Sequence, residues 1–412
     1  MHRTSGRLHS KRLVLVLILL LILTGCSNSQ EEKKQDSAGR ENAAWDGALT
    51  HDISAQLVYT HSMQKDHAQQ FSVDYYEDGY ALITLCDGSQ FLSVPEGRDG
   101  QPPAVPEDLP ERITVLQQPV GNIYLAASAA MDMFRAMDAL DCITLSGIEQ
   151  NSWHIEEARE AMEQGRITYA GKYSAPDYEL IKAKGCTLSV QSTMLEHVPE
   201  VREQLELLGI HVFEDHSSYE ESPMGRMEWI KVYGVLTGHE KEAEEAYEAQ
   251  KKAFEEGTAS EPLDLKVAFF NVTSTGAINI RKPEDYIAKM IRLAGGTYAL
   301  DGIEAAEGAT GTMNIQMEQF YAEAQDADVL IYNSTIAGEI HSRQELLDKN
   351  PLFADFQAVQ KGNVWCMSAD FFQNSMELGT AVEDIHNMLL QTGSENTAKS
   401  TDGEFTFLYR LE

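Results

Sequence analysis

Cysteine is scarce in this chain of 412 residues, and none of its five cysteines forms a CxxC pair. That spacing excludes a zinc ribbon and a thioredoxin-like redox motif. Cys86, Cys142, Cys186 and Cys366 are compatible either with one or two disulfides or with buried thiols acting as small hydrophobes. Positive charge is also short: 32 Lys and Arg stand against 65 Asp and Glu, for a formal net charge of -33. So acidic a surface repels phosphate backbones, which excludes nucleic acid as a partner and argues against direct binding of anionic headgroups. Catalytic signatures are missing too. The sequence holds no G-x-S-x-G elbow, no HExxH pair and no Walker loop, and Gly295-Gly296 follows a helical stretch rather than a strand, so it does not cradle phosphate. The chain therefore reads as a non-enzyme without a cofactor. Finally, the apolar run at 13–23 (LVLVLILLLIL) falls short of the roughly 20 residues that a helix needs to cross a bilayer.

What is present begins at the amino terminus. Arg3, Arg7, Lys11 and Arg12 precede the apolar run, the layout of a secretory leader. Leu23-Thr24-Gly25-Cys26 follows and resembles the lipobox of bacterial lipoproteins. The resemblance implies a signal peptide at 1–25 and lipidation of Cys26, the first mature residue. Residues 26–44 continue with SNSQEEKKQDSAGRENA, too polar to bury a core, and predict a flexible tether. The protein is expected on the extracytoplasmic face of the cell membrane, held by lipid.

Residues 71–94 alternate as strands do, broken at Asp78-Gly79 and Asp87-Gly88, two strong hairpin signals. They predict a small antiparallel meander within 45–110, closed by the proline-rich stretch 95–110. From 122 onward strands and helices alternate, which argues βαβ units around a mainly parallel sheet. The stretch 224–256 lacks proline and reads as one long helix or two abutting ones, 224–237 and 240–256. A second α/β set follows, with strands expected at 266–271, 329–333 and 364–367 and helices at 283–294, 317–324, 344–350, 355–359 and 375–390.

Three segments carry a family resemblance: 122–147 (NIYLAASAAMDMFRAMDALDCITLSG), 169–191 (YAGKYSAPDYELIKAKGCTLSVQ) and 223–245 (PMGRMEWIKVYGVLTGHEKEAEE). In that order, behind a lipobox, they resemble the substrate-binding proteins of ABC importers for iron complexes, haem and cobalamin. The resemblance implies an α/β fold: two α/β lobes with mainly parallel sheets, at 111–223 and 258–412, joined by a long backbone helix at 224–257, plus the small N-terminal β meander. It implies a monomer that captures a small molecule, a metal chelate such as a ferric siderophore, haem or a corrinoid, for a permease and its ATPase. Glu179 and Glu318 match the glutamates through which each lobe of this family docks on permease arginines. Loops beyond the strand ends supply the candidate ligand residues Trp153, Ser192, Thr193, Tyr219, Phe371 and Phe372, and Arg226 and Arg281 join them as candidate partners for a ligand's negative charge. Aromatic faces suit a macrocycle or catecholate, and arginines suit a carboxylate or the charge of a ferric chelate.

The first alternative is capture of bare Zn²⁺ or Mn²⁺, which needs three or four His or carboxylate ligands converging from both lobes. His154, His197, His211 and His216 stand in the first lobe, but only His341 and His386 in the second. An exported carboxylate-pair hydrolase and a surface adhesion module are the other classes weighed, the latter resting on the meander alone.

Overall fold

Two left-handed turns set the first sheet. Asp78 and Gly79 take φ values of 59° and 87°, and Gly88 takes 88°, so each Asp-Gly pair closes a hairpin as its sequence predicts. In the computed structural model, which describes residues 51–97, 101–259, 261–304, 311–393 and 405–412, this gives β1 (Tyr59–Ser62), β2 (Phe71–Tyr76), β3 (Ala81–Leu85) and β4 (Gln90–Val94), all antiparallel. The leader, Cys26 and the tether lie outside the described residues. The sheet does not close at 110 as the proline cluster suggests. A fifth strand, β5 (Ile113–Gln117), pairs parallel to β4; a parallel neighbour needs a long crossover, and the proline-rich stretch supplies it. Phe71, Ile83 and Phe91 face the main core, while Leu82 and Leu92 join a smaller cluster with Ile53 and Leu57 on the other side.

The second sheet is built from βα repeats: β6 (Ile123–Leu125), α1 (Ser128–Ala136), β7 (Ile143–Ser146), α2 (Glu156–Glu163) and β8 (Thr168–Tyr169). A two-stranded ribbon, β9 (Gly171–Lys172) and β10 (Ala175–Pro176), precedes α3 (Tyr178–Ala183), β11 (Leu188–Ser192), α4 (Pro199–Leu207) and β12 (His211–Asp215). The order is β12-β11-β6-β7-β8, parallel throughout. The chain then coils as α5 (Pro223–Glu228), α6 (Ile230–Thr237) and α7 (Glu240–Gly257). The segment expected as one long helix or two is thus three pieces. Gly238, with φ of 76°, breaks it by a left-handed cap, and α7 folds back on α6. A Cβ on Gly234 would stand 2.7 Å from the Ala243 Cβ, so the two helices meet at a glycine. At 18 residues, α7 is about 27 Å long.

The third sheet begins with β13 (Leu265–Val272), β14 (Ile278–Arg281), α8 (Tyr286–Leu293), β15 (Gly296–Tyr298) and β16 (Thr312–Ile315). It continues through α9 (Met317–Ala324), β17 (Val329–Asn333), α10 (Ser334–Ala337), α11 (Arg343–Lys349), α12 (Gln357–Lys361), β18 (Val364–Met367), α13 (Leu378–Gly393) and β19 (Leu408–Arg410). The order is β16-β14-β13-β17-β18-β19, with β15 beside the start of β13. β13, β15, β17 and β18 are parallel, and β14, β16 and β19 run against their neighbours. The α/β class read from the sequence is borne out.

Two buried carboxylates tie the first sheet to the rest. Glu228, fully buried in α5, accepts the backbone N–H groups of Asp66, His67 and Ala68, each at 2.8 Å. Glu220, 2% exposed, accepts those of Gln69 and Gln70 at 2.9 Å and the Trp229 indole N–H at 3.0 Å. Counter-charge comes from Lys231, 3.4 Å from Glu228. Replacing Glu228 by alanine strands these donors, and an unpaired buried group costs about 1–3 kcal/mol. Glu228→Ala is therefore expected to lower unfolding stability by about 3 kcal/mol and to strip hydrogen-exchange protection from amides 66–68 first. Unchanged protection there would show that the carboxylate does not hold the loop.

Candidate functional site

In sheets of this kind ligands gather beyond the carboxyl ends of the parallel strands. Here those ends carry the loops after β7, β11 and β12 on one side and after β13, β17 and β18 on the other. The two sets are tied along one flank. Gln373, after β18, accepts the His154 N–H at 2.8 Å and donates to the Ser152 carbonyl at 2.9 Å. The Ser375 hydroxyl donates to the Ala129 carbonyl at 2.6 Å, and the Met376 N–H to the buried Asp132 at 2.7 Å. Arg135 closes the group, 2.6 Å from Asp132 and 3.6 Å from Glu377.

Away from this flank, Arg226 and Arg281 converge. The Arg226 guanidinium lies 3.8 Å from the centre of the Tyr286 ring, and that of Arg281 lies 5.9 Å from the same ring and 5.1 Å from Phe372. Arg226 is fixed by the Glu220 carbonyl at 3.2 Å and by the Ser218 carbonyl. Among the described residues, Arg281 has Asp285 as its ion-pair partner, at 3.7 Å, and its buried Nε has no hydrogen-bond partner. Asp285 itself caps α8 by accepting the Ile287 N–H at 2.9 Å. Burial pulls the Arg226 pKa down, and the like charge of Arg281 pulls with it. Burial raises the Tyr286 phenol, while the two arginines hold it back. Two guanidinium groups sharing one aromatic ring make a site that favours an anion.

The remaining candidates divide. Tyr219 is half-buried beside Thr193, and Ser192 ends β11 next to them. Trp153 and Phe371 differ from the expectation of exposed aromatic faces: each is 1% exposed. The Trp153 indole donates to the Ser146 hydroxyl at 3.1 Å, and Phe371 packs edge-on against Phe372 and Phe407. Both rings fill the core behind the loops, because neighbouring elements cover them. Glu179 and Glu318 are exposed in the first turns of α3 and α9.

Sequence reasoning missed Tyr286, which carries no pattern of its own, and a pair that joins the first sheet to the β12 loop. His216 is 2% exposed, and its Nε2 stands 3.8 Å from Asp87 at the β3–β4 turn. Burial lowers the imidazole's pKa, but Asp87 and Cys86 beside it outweigh burial and push it up to about 10. Burial likewise raises Asp87, yet His216 and Ser89 hold it down to about 2. The ring of His216 lies 5.7 Å from that of Tyr219. Among the described residues no three His, Cys, Asp or Glu side chains gather to hold a metal ion. The histidines weighed for bare-ion capture are scattered: the His386 Nδ1 sits against the Ala294 carbonyl at 2.9 Å, and His341 is exposed. Cys86, Cys142, Cys186 and Cys366 are all free thiols.

Comparison with known proteins agrees with this fold. The family model described as periplasmic binding protein matches residues 132–370. An uncharacterized lipoprotein of Methanocaldococcus jannaschii is 22% identical over 71% of this chain and 70% of its own length. A periplasmic binding protein from Veillonella parvula superposes with a TM-score of 0.54 at 14% identity, covering 70% of this chain and 95% of that one. A periplasmic heme binding protein from Pseudomonas aeruginosa gives 0.50 at 16% identity, covering 65% of this chain and 91% of that one.

The His216–Asp87 pair sets a pH window. A histidine whose folded pKa is raised contributes fully below its unfolded value, about 6.5, and that contribution fades as pH climbs toward about 10. An aspartate whose folded pKa is depressed contributes above its unfolded value, about 3.9, and loses it as pH falls toward about 2. Melting temperature followed against pH is expected to drop less steeply for Asp87→Asn than for the native chain above pH ~6.5 and below pH ~4. Parallel curves would remove the pair as a source of stability.

Proposed function

We propose that this chain, which belongs to the periplasmic binding protein family, captures an anionic metal chelate on the outer side of the cytoplasmic membrane and delivers it to an ABC importer. The observation that carries the reading is the convergence of Arg226 and Arg281 on Tyr286, with Phe372 alongside. Arg226 precedes α7 and Arg281 follows it, so a ligand held by both touches the joining segment 224–257 and the α/β lobe 258–412. Guanidinium forks recognise carboxylate or catecholate oxygens with geometric specificity, and Phe372 and Tyr219 offer aromatic area to a flat or bulky chelate. A carboxylate or catecholate ferric siderophore and haem, through its propionates, fit this description better than a corrinoid, whose periphery is neutral amide. The haem-binding title of the Pseudomonas aeruginosa neighbour is consistent with it.

Lipidation of Cys26 keeps the receptor at the membrane, a role supported by the lipoprotein name of the archaeal relative. Glu179 and Glu318 dock the loaded receptor on the permease, whose ATPase drives uptake. Two separated carboxylates fix orientation and raise the on-rate more than they add affinity. The protein acts as a monomeric receptor rather than as an enzyme.

Thermal shift and tryptophan quenching against ferric siderophores, haemin, cobalamin, Zn²⁺ and Mn²⁺ test the reading. A binder raises the melting temperature with the logarithm of its concentration over Kd. A chelate is expected to respond, and Arg226→Ala with Arg281→Ala should weaken it at least ~10-fold, the loss of one charge-assisted contact. A response to Zn²⁺ or Mn²⁺ alone would overturn the chelate reading in favour of bare-ion capture. Separately, Glu179→Ala with Glu318→Ala is expected to abolish uptake in cells while leaving ligand affinity intact; a collapse of affinity would refute the docking roles.

A further inference from the structure

One carboxylate answers the two arginines that meet on Tyr286. Asp285 is 8% exposed, and its Oδ2 stands 3.7 Å from the Arg281 Nη1. The Tyr298 hydroxyl donates to the Arg281 carbonyl at 2.7 Å, which fixes the backbone that carries this guanidinium. Asp285 acts on Arg226 as well. Burial pulls the Arg226 pKa down, and Tyr286, Asp285 and Asp215 work against it. Of the two acids, Asp215 is committed elsewhere: it accepts the Ser217 N–H at 2.8 Å and the Tyr233 hydroxyl. Asp285 is thus the acid that stands with the arginine pair.

This carboxylate is pinned on two sides. Its Oδ1 accepts the Ile287 N–H at 2.9 Å and caps α8, while its own N–H donates to the Lys282 carbonyl at 3.0 Å. On the other side, a Cβ placed on Gly311 would stand 2.2 Å from Oδ2, so the oxygen rests against bare backbone. The Gly311 carbonyl is held in turn by the Lys282 N–H at 2.8 Å. A carboxylate held by a cap and wedged against Gly311 does not swing aside when a ligand arrives. Its charge therefore acts, at short range and little screened, on whatever occupies the two guanidinium groups.

We propose that Asp285 is a specificity-determining residue, a fixed internal counter-anion that keeps small inorganic oxyanions off the Arg226 and Arg281 pair. This rests on the reading of those arginines as the groups that hold the ligand's charge, and deepens it. An ion such as phosphate binds through charge and hydrogen bonds alone, so a carboxylate beside the arginines removes most of what it would gain. A chelate that also covers Phe372 and Tyr219 keeps its aromatic contacts, which do not depend on Asp285. Discrimination then comes from a repulsive element set against the wrong ligand. The same carboxylate stabilises the empty protein, because removing one partner of a buried ion pair leaves its guanidinium desolvated and uncompensated.

Titration of the full chain with inorganic phosphate, by calorimetry and by thermal shift, tests this without any chelate. Asp285→Asn keeps the cap on α8, since asparagine caps a helix as well as aspartate does, and removes the charge. Empty, the variant is expected to melt below the native chain. It is expected to bind phosphate at least ~10-fold more tightly, its melting temperature rising with the phosphate concentration. Asp285→Ser, which also caps, should behave alike, and adding Arg281→Ala should abolish the gain. Equal phosphate affinity in the native chain and both variants overturns the proposal. So does a gain that survives Arg281→Ala, because the phosphate would then sit elsewhere. Neither of these results touches the receptor reading, which the chelate screen decides on its own.

Discussion

The structure depends on two carboxylates placed where charge is hardest to keep. Glu220 and Glu228 are almost wholly buried, and both are consumed by the backbone N–H groups of residues 66–70. Charge-assisted hydrogen bonds of this kind are roughly twice as strong as neutral ones, and several acceptors' worth of donors converge on each group. Glu228 lies in α5 and Glu220 just before it. The same few residues carry Arg226 and follow the Tyr219 loop, so the anchoring of the first sheet and the shape of the candidate site share one piece of backbone. The sheet within residues 51–117 is therefore part of the protein's frame even though the matched family segment starts at 132.

A second set of contacts limits how the strand-end loops move. Gln373, Ser375 and Met376 bond to the loops and helix of the second sheet through short, partly buried hydrogen bonds. By contrast, Lys289 and Glu221 meet at 2.9 Å largely in solvent, where an ion pair is worth about 0–1 kcal/mol. One flank is held by a bonded network and the other by this ion pair and the stacking of Arg226 on Tyr286. Small ligand-linked adjustments are expected on the Arg226 and Arg281 flank rather than at Gln373.

Much of this was legible in the sequence. The apolar strands at 329–333 and 364–367 and the helix at 317–324 stand where their pattern puts them, because short apolar runs and i, i+4 spacing leave little choice. The short strands INIR and TMNI were not legible, since four residues of alternation are too weak a signal. β5 was hidden by the prolines before it. Both arginines were singled out in the sequence for their charge, and the structure brings them together on the Tyr286 ring from α5 and the end of β14. Trp153 and Phe371 were not separable from core aromatics, because burial is decided by what packs on a ring and not by the ring's own segment. The Asp87–His216 pair depends on the β3–β4 turn packing against the loop after β12, and no local pattern contains that contact.

Glu220 and Glu228 read the loop at 66–70 through its amides, while Asp66 also pairs with Lys251 and Ala68 is buried in the core. At exposed His67 and Gln69 any side chain can ride on that backbone, provided the residue is not proline, which has no N–H to give. The two glutamates have no such latitude, since aspartate is shorter by a methylene and glutamine replaces one acceptor oxygen with a donor. Divergence among descendants of this chain should therefore be lopsided: free drift at 67 and 69, set against stasis at positions 220 and 228. A search for the extra sheet by residue identity would pass over it in distant kin, and the pair of acids on the far side of the contact is the better trace of its presence.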